Sequence, residues 1–168
     1  MQAKKLSKSQ PLAFQVSLRV RHPSMDPASI SRELGIEAEH SFRAGDPRPS
    51  RSGLAPASIH TETYWLAPMI PASWLGDMSI AERPGLAVAD KHMYAAVTTN
   101  LGLAFSLCAL RFRTMHGALL RQIRSEGGQV SLLVALSAAA VSSFSIAPEV
   151  SRLFSDLGIT IEFEMTND

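Results

Sequence analysis

Five residues in two short segments could together bind a small anion. They are Arg43, Asp46, Arg48, Tyr64 and Trp65. Guanidinium groups bind carboxylates and phosphates through paired hydrogen bonds, and an indole ring offers an apolar wall beside them. A structural interpretation competes with this one, because Asp46 is suited to cap its own turn and Trp65 is suited to fill a core. The sequence leaves both interpretations open.

A second group of residues could form an interaction surface. It consists of Arg111, Arg113, Arg121 and Arg124, and no acidic residue lies between the first and the last. Single-stranded nucleic acid is bound by interleaved aromatic side chains, of which Phe112 is the only one present there. The formal net charge of +1 gives no general attraction to nucleic acid either. We therefore expect a protein contact, either within the chain or with the acidic tail of a second copy.

Recognisable catalytic motifs are missing from the sequence. No serine lies in a Gly-x-Ser-x-Gly elbow, and no glycine-rich phosphate loop is present. The pairs Glu37/Glu39 and Glu162/Glu164 have a spacing that places both carboxylates on one face of a strand. Such a pair could act as a glycosidase-like dyad, but a solvated polar face is the commoner cause of this spacing. We expect a chain that is not an enzyme.

The histidines and the single cysteine indicate neither a metal site nor a disulfide. No two of the five histidines lie three or four residues apart, which is the spacing of a helical ligand pair. We therefore expect them at surface or loop positions. Cys108 lies in an apolar segment and is expected to be a buried, inert thiol. These residues predict no metal, no cofactor and a reducing, cytoplasmic compartment.

Two charge-free stretches, 93–110 and 130–148, raise the question of a membrane. Arginines lie between them, and a helical hairpin with a positive loop has this pattern. A spanning helix needs about 20 predominantly apolar residues. The first stretch contains Thr98, Thr99 and Asn100, and the second contains five serines. We expect no membrane span.

The first half of the chain begins with a clear strand and a clear helix. Apolar residues alternate with polar ones from Phe14 to Arg21, the period of a half-buried strand. Asp26 and Pro27 are preferred at the N-cap and first position of a helix, and Gly35 can end it in the left-handed conformation. The predictions that follow are a short extended piece (39–43), a surface loop (47–60), a strand (61–67) and irregular structure (76–92).

The second half predicts more helix and two further strands. Residues 100–125 fit a helix with a break near Gly117, although a strand over 103–112 is the alternative. The apolar run 130–136 is typical of a strand that is central or covered on both faces. The remaining elements are a helix that starts at Pro148 and stops at Gly158, and an alternating strand over 159–164.

These elements predict one domain over residues 1–168, with residues 1–11 as a disordered tail. The predicted class is α+β, with a single mixed or antiparallel sheet of about five strands and about three helices. A weak echo links residues 15–36 with 129–159, because each contains a Gln-Val-Ser-Leu strand and a helix that ends at Leu-Gly-Ile. The echo suggests two βαβ-like halves related to a ferredoxin-like arrangement. Reuse of common strand-start and helix-exit residues explains it equally well.

Three segments carry a resemblance to a known family. They read His-Pro-Ser-Met-Asp-Pro-Ala-Ser-Ile-Ser-Arg-Glu-Leu-Gly-Ile (22–36), Phe-Arg-Ala-Gly-Asp-Pro-Arg (42–48) and Glu-Thr-Tyr-Trp (62–65). Together with Pro148-Glu149 and Leu157-Gly158, they resemble the bacterial family catalogued as domain of unknown function 4279. The match covers about 14–66 and 129–165. Phe42 departs from the tryptophan usual in the family, and 68–98 looks longer than its counterpart. The resemblance implies one soluble α+β domain and supplies no catalytic residues.

We therefore expect a non-enzymatic interaction domain that forms a homo-oligomer, most simply a dimer, and contacts a protein partner. The charged fraction of 18% is below the roughly 25% typical of soluble domains, which favours a covered surface. General resemblance suggests an immunity-type inhibitor of a bacterial toxin. The alternative is a small-anion-binding or hydrolytic protein that uses Arg43, Asp46 and Trp65. A pocket joining Arg43 and Trp65 would favour the alternative, whereas a buried Trp65 and an apolar patch beside the arginines would favour the interaction domain.

Overall fold

One mixed five-stranded sheet with helical segments packed against it makes up the part of the chain that the computed structural model describes, residues 14–48, 58–69, 100–137 and 145–166. This architecture confirms the predicted α+β class. No helix in these ranges is long and apolar enough to cross a membrane. The predictions for the tail 1–11, for most of the loop 47–60 and for the segment 76–92 fall outside the described residues.

The strands are β1 (Phe14–His22), β2 (His40–Phe42), β3 (Thr63–Pro68), β4 (Gln129–Ser137) and β5 (Ile159–Thr166). The helices are α1 (Pro27–Leu34), α2 (Leu101–Arg111), α3 (Gly117–Ser125) and α4 (Pro148–Leu157). A π-helical stretch (Phe112–His116) joins α2 to α3, so the described ranges contain three helical segments. The sheet order is β2-β3-β1-β4-β5. All neighbours are antiparallel except β4 and β5, which are parallel.

The connection order from β1 to β4 is β-α-β-β-α-β, which is compatible with the ferredoxin-like relation expected from the sequence. That relation stays a prediction.

The ends of α1 follow the sequence signals. The Asp26 carboxylate accepts a hydrogen bond from the Ala28 amide at 3.1 Å, so it satisfies one of the free N–H groups of the first turn. Gly35 ends the helix with a φ of 66°, a conformation that costs residues with a Cβ roughly 1–2 kcal/mol. The Ile36 amide then bonds back to the Ser31 carbonyl, which turns the chain towards β2.

The segment from 101 to 125 is helical, which excludes the alternative strand over 103–112. The Asn100 side chain caps α2 by accepting a hydrogen bond from the Leu103 amide at 3.0 Å. The predicted break near Gly117 is present, because His116 leaves the helical region with φ −120° and ψ 4°. The π-helical stretch before it inserts an extra residue into the turn.

The core lies between the helices and one face of the sheet. Leu18 is fully buried opposite Ala67 of β3 and Leu132 of β4, on the face that also carries Trp65. Phe105 of α2 and Phe154 of α4 meet edge to face with ring centroids 5.9 Å apart. Cys108 is completely buried on α2, and this burial raises the pKa of its thiol to about 12.

Candidate functional site

The turn that carries the candidate arginines is held by its own aspartate. The Asp46 carboxylate accepts a hydrogen bond from the Arg43 amide at 3.0 Å, and the Asp46 amide donates to the Arg43 carbonyl at 3.1 Å. Gly45 adopts a φ of 90° and donates its N–H to the His60 carbonyl at 2.8 Å. The local sequence Ala-Gly-Asp-Pro therefore forms a closed turn that leaves the Arg43 side chain exposed.

A cleft of about 700 Å³ lies between α1 and the edge of the sheet. Its residues on the α1 side include Asp26, Ser31 and Arg32, and those on the β2 side include Ser41, Arg43 and Asp46. The cleft exists because the chain reverses between α1 and β2, so the helix and the short edge strand face each other across a gap.

Trp65 does not take part in this cleft. It is completely buried on the helix-covered face, opposite Val20 of β1 and Ser41 of β2. Its Nε1 donates to the Ser31 hydroxyl at 3.0 Å, and Ser31 lines the cleft. The indole therefore supports the cleft wall from beneath. This is the core position that the sequence allowed as the alternative to a ligand-contacting wall.

The other candidate residues for the anion site lie in different places. Arg43 and Asp46 line the cleft, whereas Arg48 is exposed and lies outside its lining. Tyr64 lies on the opposite face of the sheet from Trp65. There Phe42 stacks between two rings, with centroids 5.1 Å from Tyr64 and 3.7 Å from His60.

The arginines of the second group differ in their surroundings, and their role as an interaction surface stays a prediction. Arg113 and Arg121 are exposed, and Arg111 is half-buried. The guanidinium of Arg124 covers Gly158, where a Cβ would lie 2.8 Å from its Nη1. A cation at this place interacts favourably with the carbonyl end of α4. Met115, 57% exposed, is the large exposed apolar side chain on this helical segment.

Two histidines are buried, which corrects the expectation of surface or loop positions. His22 closes β1 and accepts hydrogen bonds at Nδ1 from the amides of Ser24 (3.1 Å) and Met25 (2.7 Å). These bonds hold the loop that leads into α1. Its Nε2 lies 3.3 Å from Oε2 of Glu126, just after α3. A Cβ on Gly128 would meet Cδ2 of the imidazole at 2.6 Å, so glycine is required there.

His116 is the second buried histidine, at the end of the π-helical stretch. Burial lowers the pKa of its imidazole, and the positive charge of Arg111 lowers it further. A hydrogen bond with the backbone of Glu33 acts in the opposite direction. The structure thus links α1 to the π-helical stretch through a contact between distant residues, which spacing along the sequence does not reveal.

The described residues contain no metal-binding cluster, and one member of the Glu162/Glu164 pair is held in an ion pair. No group of three or more histidine, cysteine, aspartate or glutamate side chains in these ranges could hold a metal ion. Glu162 forms an ion pair with Arg19 of β1. Hydrogen bonds from Ser131 and then from Arg19 lower the pKa of its carboxyl group. Glu162 is thereby held as an ionised group on the face of the sheet opposite the one that carries Leu18 and Trp65.

Comparison with known proteins adds no family assignment. No family model matches the chain, and no curated protein or solved structure matches it. The resemblance to the bacterial family of unknown function stays a prediction, so the roles of individual residues rest on the geometry above.

Proposed function

We propose that this chain is a non-enzymatic interaction domain that binds a second copy of itself through β5. The observation that carries the proposal is the exposure of Phe163 (45%) and Met165 (66%) on this strand. Large exposed apolar patches on a soluble domain commonly mark interaction sites.

The position of these side chains supports a contact surface. β5 lies at one end of the sheet order, and exposure increases along one face of it, from the buried Ile159 to Phe163 and Met165. A two-fold contact would bring the same residues together from both copies, which is the usual geometry of a homodimer. Burial of the two side chains would then stabilise the dimer by roughly 25 cal/mol for each Å² of apolar surface removed from water.

Native mass spectrometry tests the proposal, because it reads the number of subunits and any retained small molecule together. We expect a dimer for the wild-type chain and a monomer for Met165→Asp, since an aspartate would have to be desolvated in the contact. Met115→Asp is the matched control, because it places the same charge at another exposed methionine and should leave the dimer intact. A wild-type monomer, or dissociation by the control alone, would contradict the proposal.

The cleft beside Arg43 supports a second candidate function, the binding of a small anion. Arg32 and Arg43 both line it, although three acidic residues, Asp26, Glu37 and Asp46, do so as well. A phosphate or carboxylate retained in the native mass spectrum, and lost in Arg43→Ala, would favour this function over the first.

We also propose that the chain is cytoplasmic and contacts a protein partner. The single buried thiol of Cys108 agrees with a reducing, cytoplasmic environment. The sequence resemblance supports a bacterial protein that also contacts another protein, as an immunity-type inhibitor would.

A further inference from the structure

Strand β2 has one backbone edge that pairs with no strand among the residues that the structure describes. Within the described ranges, its residues pair only with β3. An edge strand presents alternate N–H and C=O groups away from the sheet, and an extended peptide can pair with them as an added strand.

The 700 Å³ cleft is lined by residues of this edge strand. Ser41 and Phe42 both line it, although their side chains belong to opposite faces of the strand. We infer from this joint lining that the cleft comes close to the backbone of β2. Helix α1 forms the other wall, so the cleft is a groove between a helix and an edge strand.

Some charged groups of the groove already have hydrogen-bond partners, whereas others have no ion-pair partner among the described residues. The carboxylates of Asp26 and Asp46 accept hydrogen bonds from backbone amides at the helix N-terminus and in the turn. The Arg32 guanidinium donates a hydrogen bond to the Ser29 hydroxyl at 3.2 Å. Glu37 and Arg43 also line the groove, before and after β2, and neither side chain has an ion-pair partner among the described residues. One negative and one positive side chain are therefore available on either side of the strand.

We propose that the groove binds an extended segment of another protein, which adds as a strand beside β2 and carries one basic and one acidic residue. The basic residue faces Glu37 and the acidic residue faces Arg43. Position 43 is the sixth residue after position 37, so the two would lie roughly 20 Å apart if the whole segment were as extended as β2 (His40–Phe42). The two charges of the bound segment are accordingly about six residues apart.

This inference concerns the edge opposite β5 and does not depend on the proposed homodimer. A second copy of the chain uses β5 in that proposal, whereas the charge pair beside β2 selects a different segment. The variant Met165→Asp should therefore dissociate the dimer and leave binding at the groove unchanged, so the two proposals can fail separately.

The probes are two capped heptapeptides, Glu-Thr-Val-Thr-Val-Thr-Lys and the same peptide with Glu and Lys exchanged. Binding to the full chain is measured by fluorescence polarisation and by amide shifts in ¹⁵N-labelled protein. We expect one peptide to bind about two- to thirty-fold more tightly than the other, because two exposed ion pairs each contribute roughly 0.2–1 kcal/mol. The amide shifts should be largest from His40 to Arg43.

A charge exchange in the protein gives the sharpest test. The double variant Glu37→Arg/Arg43→Glu should reverse the preference between the two peptides while keeping the net charge. Arg48→Glu is the control, because Arg48 is exposed in the same region but does not line the groove. It should leave the preference unreversed, and circular dichroism should show native secondary structure for all variants.

Methylation of the peptide backbone tests strand addition separately from charge. Peptides N-methylated at odd residues and at even residues keep the same side chains, but only one set should retain binding, because alternate amides face β2. Equal binding of both sets would overturn the strand geometry. Absence of saturable binding by either unmodified peptide, or binding by inorganic phosphate alone in an Arg43-dependent manner, would overturn the proposal.

Discussion

Two parts of the molecule, β1-α1-β2 and β4-α4-β5, have similar residues at their helix ends. Their two strands nevertheless take different relative positions in the sheet. Both helices start with a proline and end at a glycine in the left-handed conformation, Gly35 with φ 66° and Gly158 with φ 69°. Yet β5 lies directly beside β4 and parallel to it, whereas β3 separates β2 from β1. Local sequence therefore determines where helices end, and contacts from elsewhere in the chain determine which strand comes next in the sheet.

The two helix ends also differ in what surrounds them. A Cβ on Gly35 would meet nothing within 4 Å, whereas one on Gly158 would meet the Arg124 side chain. At the N-termini, Asp26 caps α1 with its side chain, while Ala147 before α4 has no side chain that can do so. The glycine that ends the helix is thus exposed in the first part, whereas the Arg124 side chain covers it in the second.

The largest expected effect concerns the strand that separates β1 from β2. Trp65 lies opposite residues of both strands and is completely buried. Trp65→Ala should lower the free energy of unfolding by about 3–5 kcal/mol, measured by urea denaturation followed by circular dichroism. Trp65→Phe keeps a ring but removes the hydrogen bond to Ser31, so its loss should be smaller. A cost below about 1 kcal/mol for the alanine variant would mean that Trp65 does not hold this part together.

A smaller effect should distinguish the two glycines. Gly35→Ala should cost about 1–2 kcal/mol, the strain of a Cβ in the left-handed region. Gly158→Ala should cost more, because the Arg124 side chain must also move. Thermal unfolding of both variants, and of Gly158→Ala combined with Arg124→Ala, measures the difference. If the combined variant does not recover part of the extra cost, Arg124 is not its cause.

The smallest effect is the pH dependence that Glu162 adds to β5. Its pKa is lowered in the folded chain, so the stability it contributes is complete above the ordinary glutamate pKa. That stability is lost as the pH falls through the folded-state value. The carboxylate side chain is 37% exposed, so the contribution should stay below about 1 kcal/mol.

Chemical denaturation between neutral and mildly acidic pH compares wild type with Glu162→Gln. The stability difference between them should shrink towards acid. Glu164→Gln serves as the control for the loss of a carboxylate on the same strand, and an identical change in that variant would argue against the Ser131 and Arg19 contacts as the cause.

Much of the fold could be predicted because its signals are local. The cap at Asp26, the stop at Gly35, the break near Gly117 and the last helix from Pro148 to Gly158 all depend on neighbouring residues. Strand order could not be predicted in the same way, since the position of β3 between β1 and β2 depends on contacts such as Val20 with Trp65.

The candidate site was only partly predictable for the same reason. Turn chemistry identified Arg43 and Asp46, but the opposite wall of the cleft comes from α1 and includes Ser31 and Arg32. An aromatic residue next to a turn does not reveal the face it occupies. Alternation places Tyr64 and Trp65 on opposite faces of the strand, but only the packing of the sheet shows that Trp65 is the one in the core.

Because Cys108 is buried, its reaction with a thiol reagent can report when the core around it becomes exposed. Only the thiolate reacts with common labelling reagents, and a pKa of about 12 leaves very little thiolate at neutral pH. The side chain is also fully enclosed, so a reagent reaches it only after α2 separates from its neighbours. With one cysteine in the sequence, each labelling event reports on one place. Pulsed thiol modification can therefore time the exposure of this core without any engineered label.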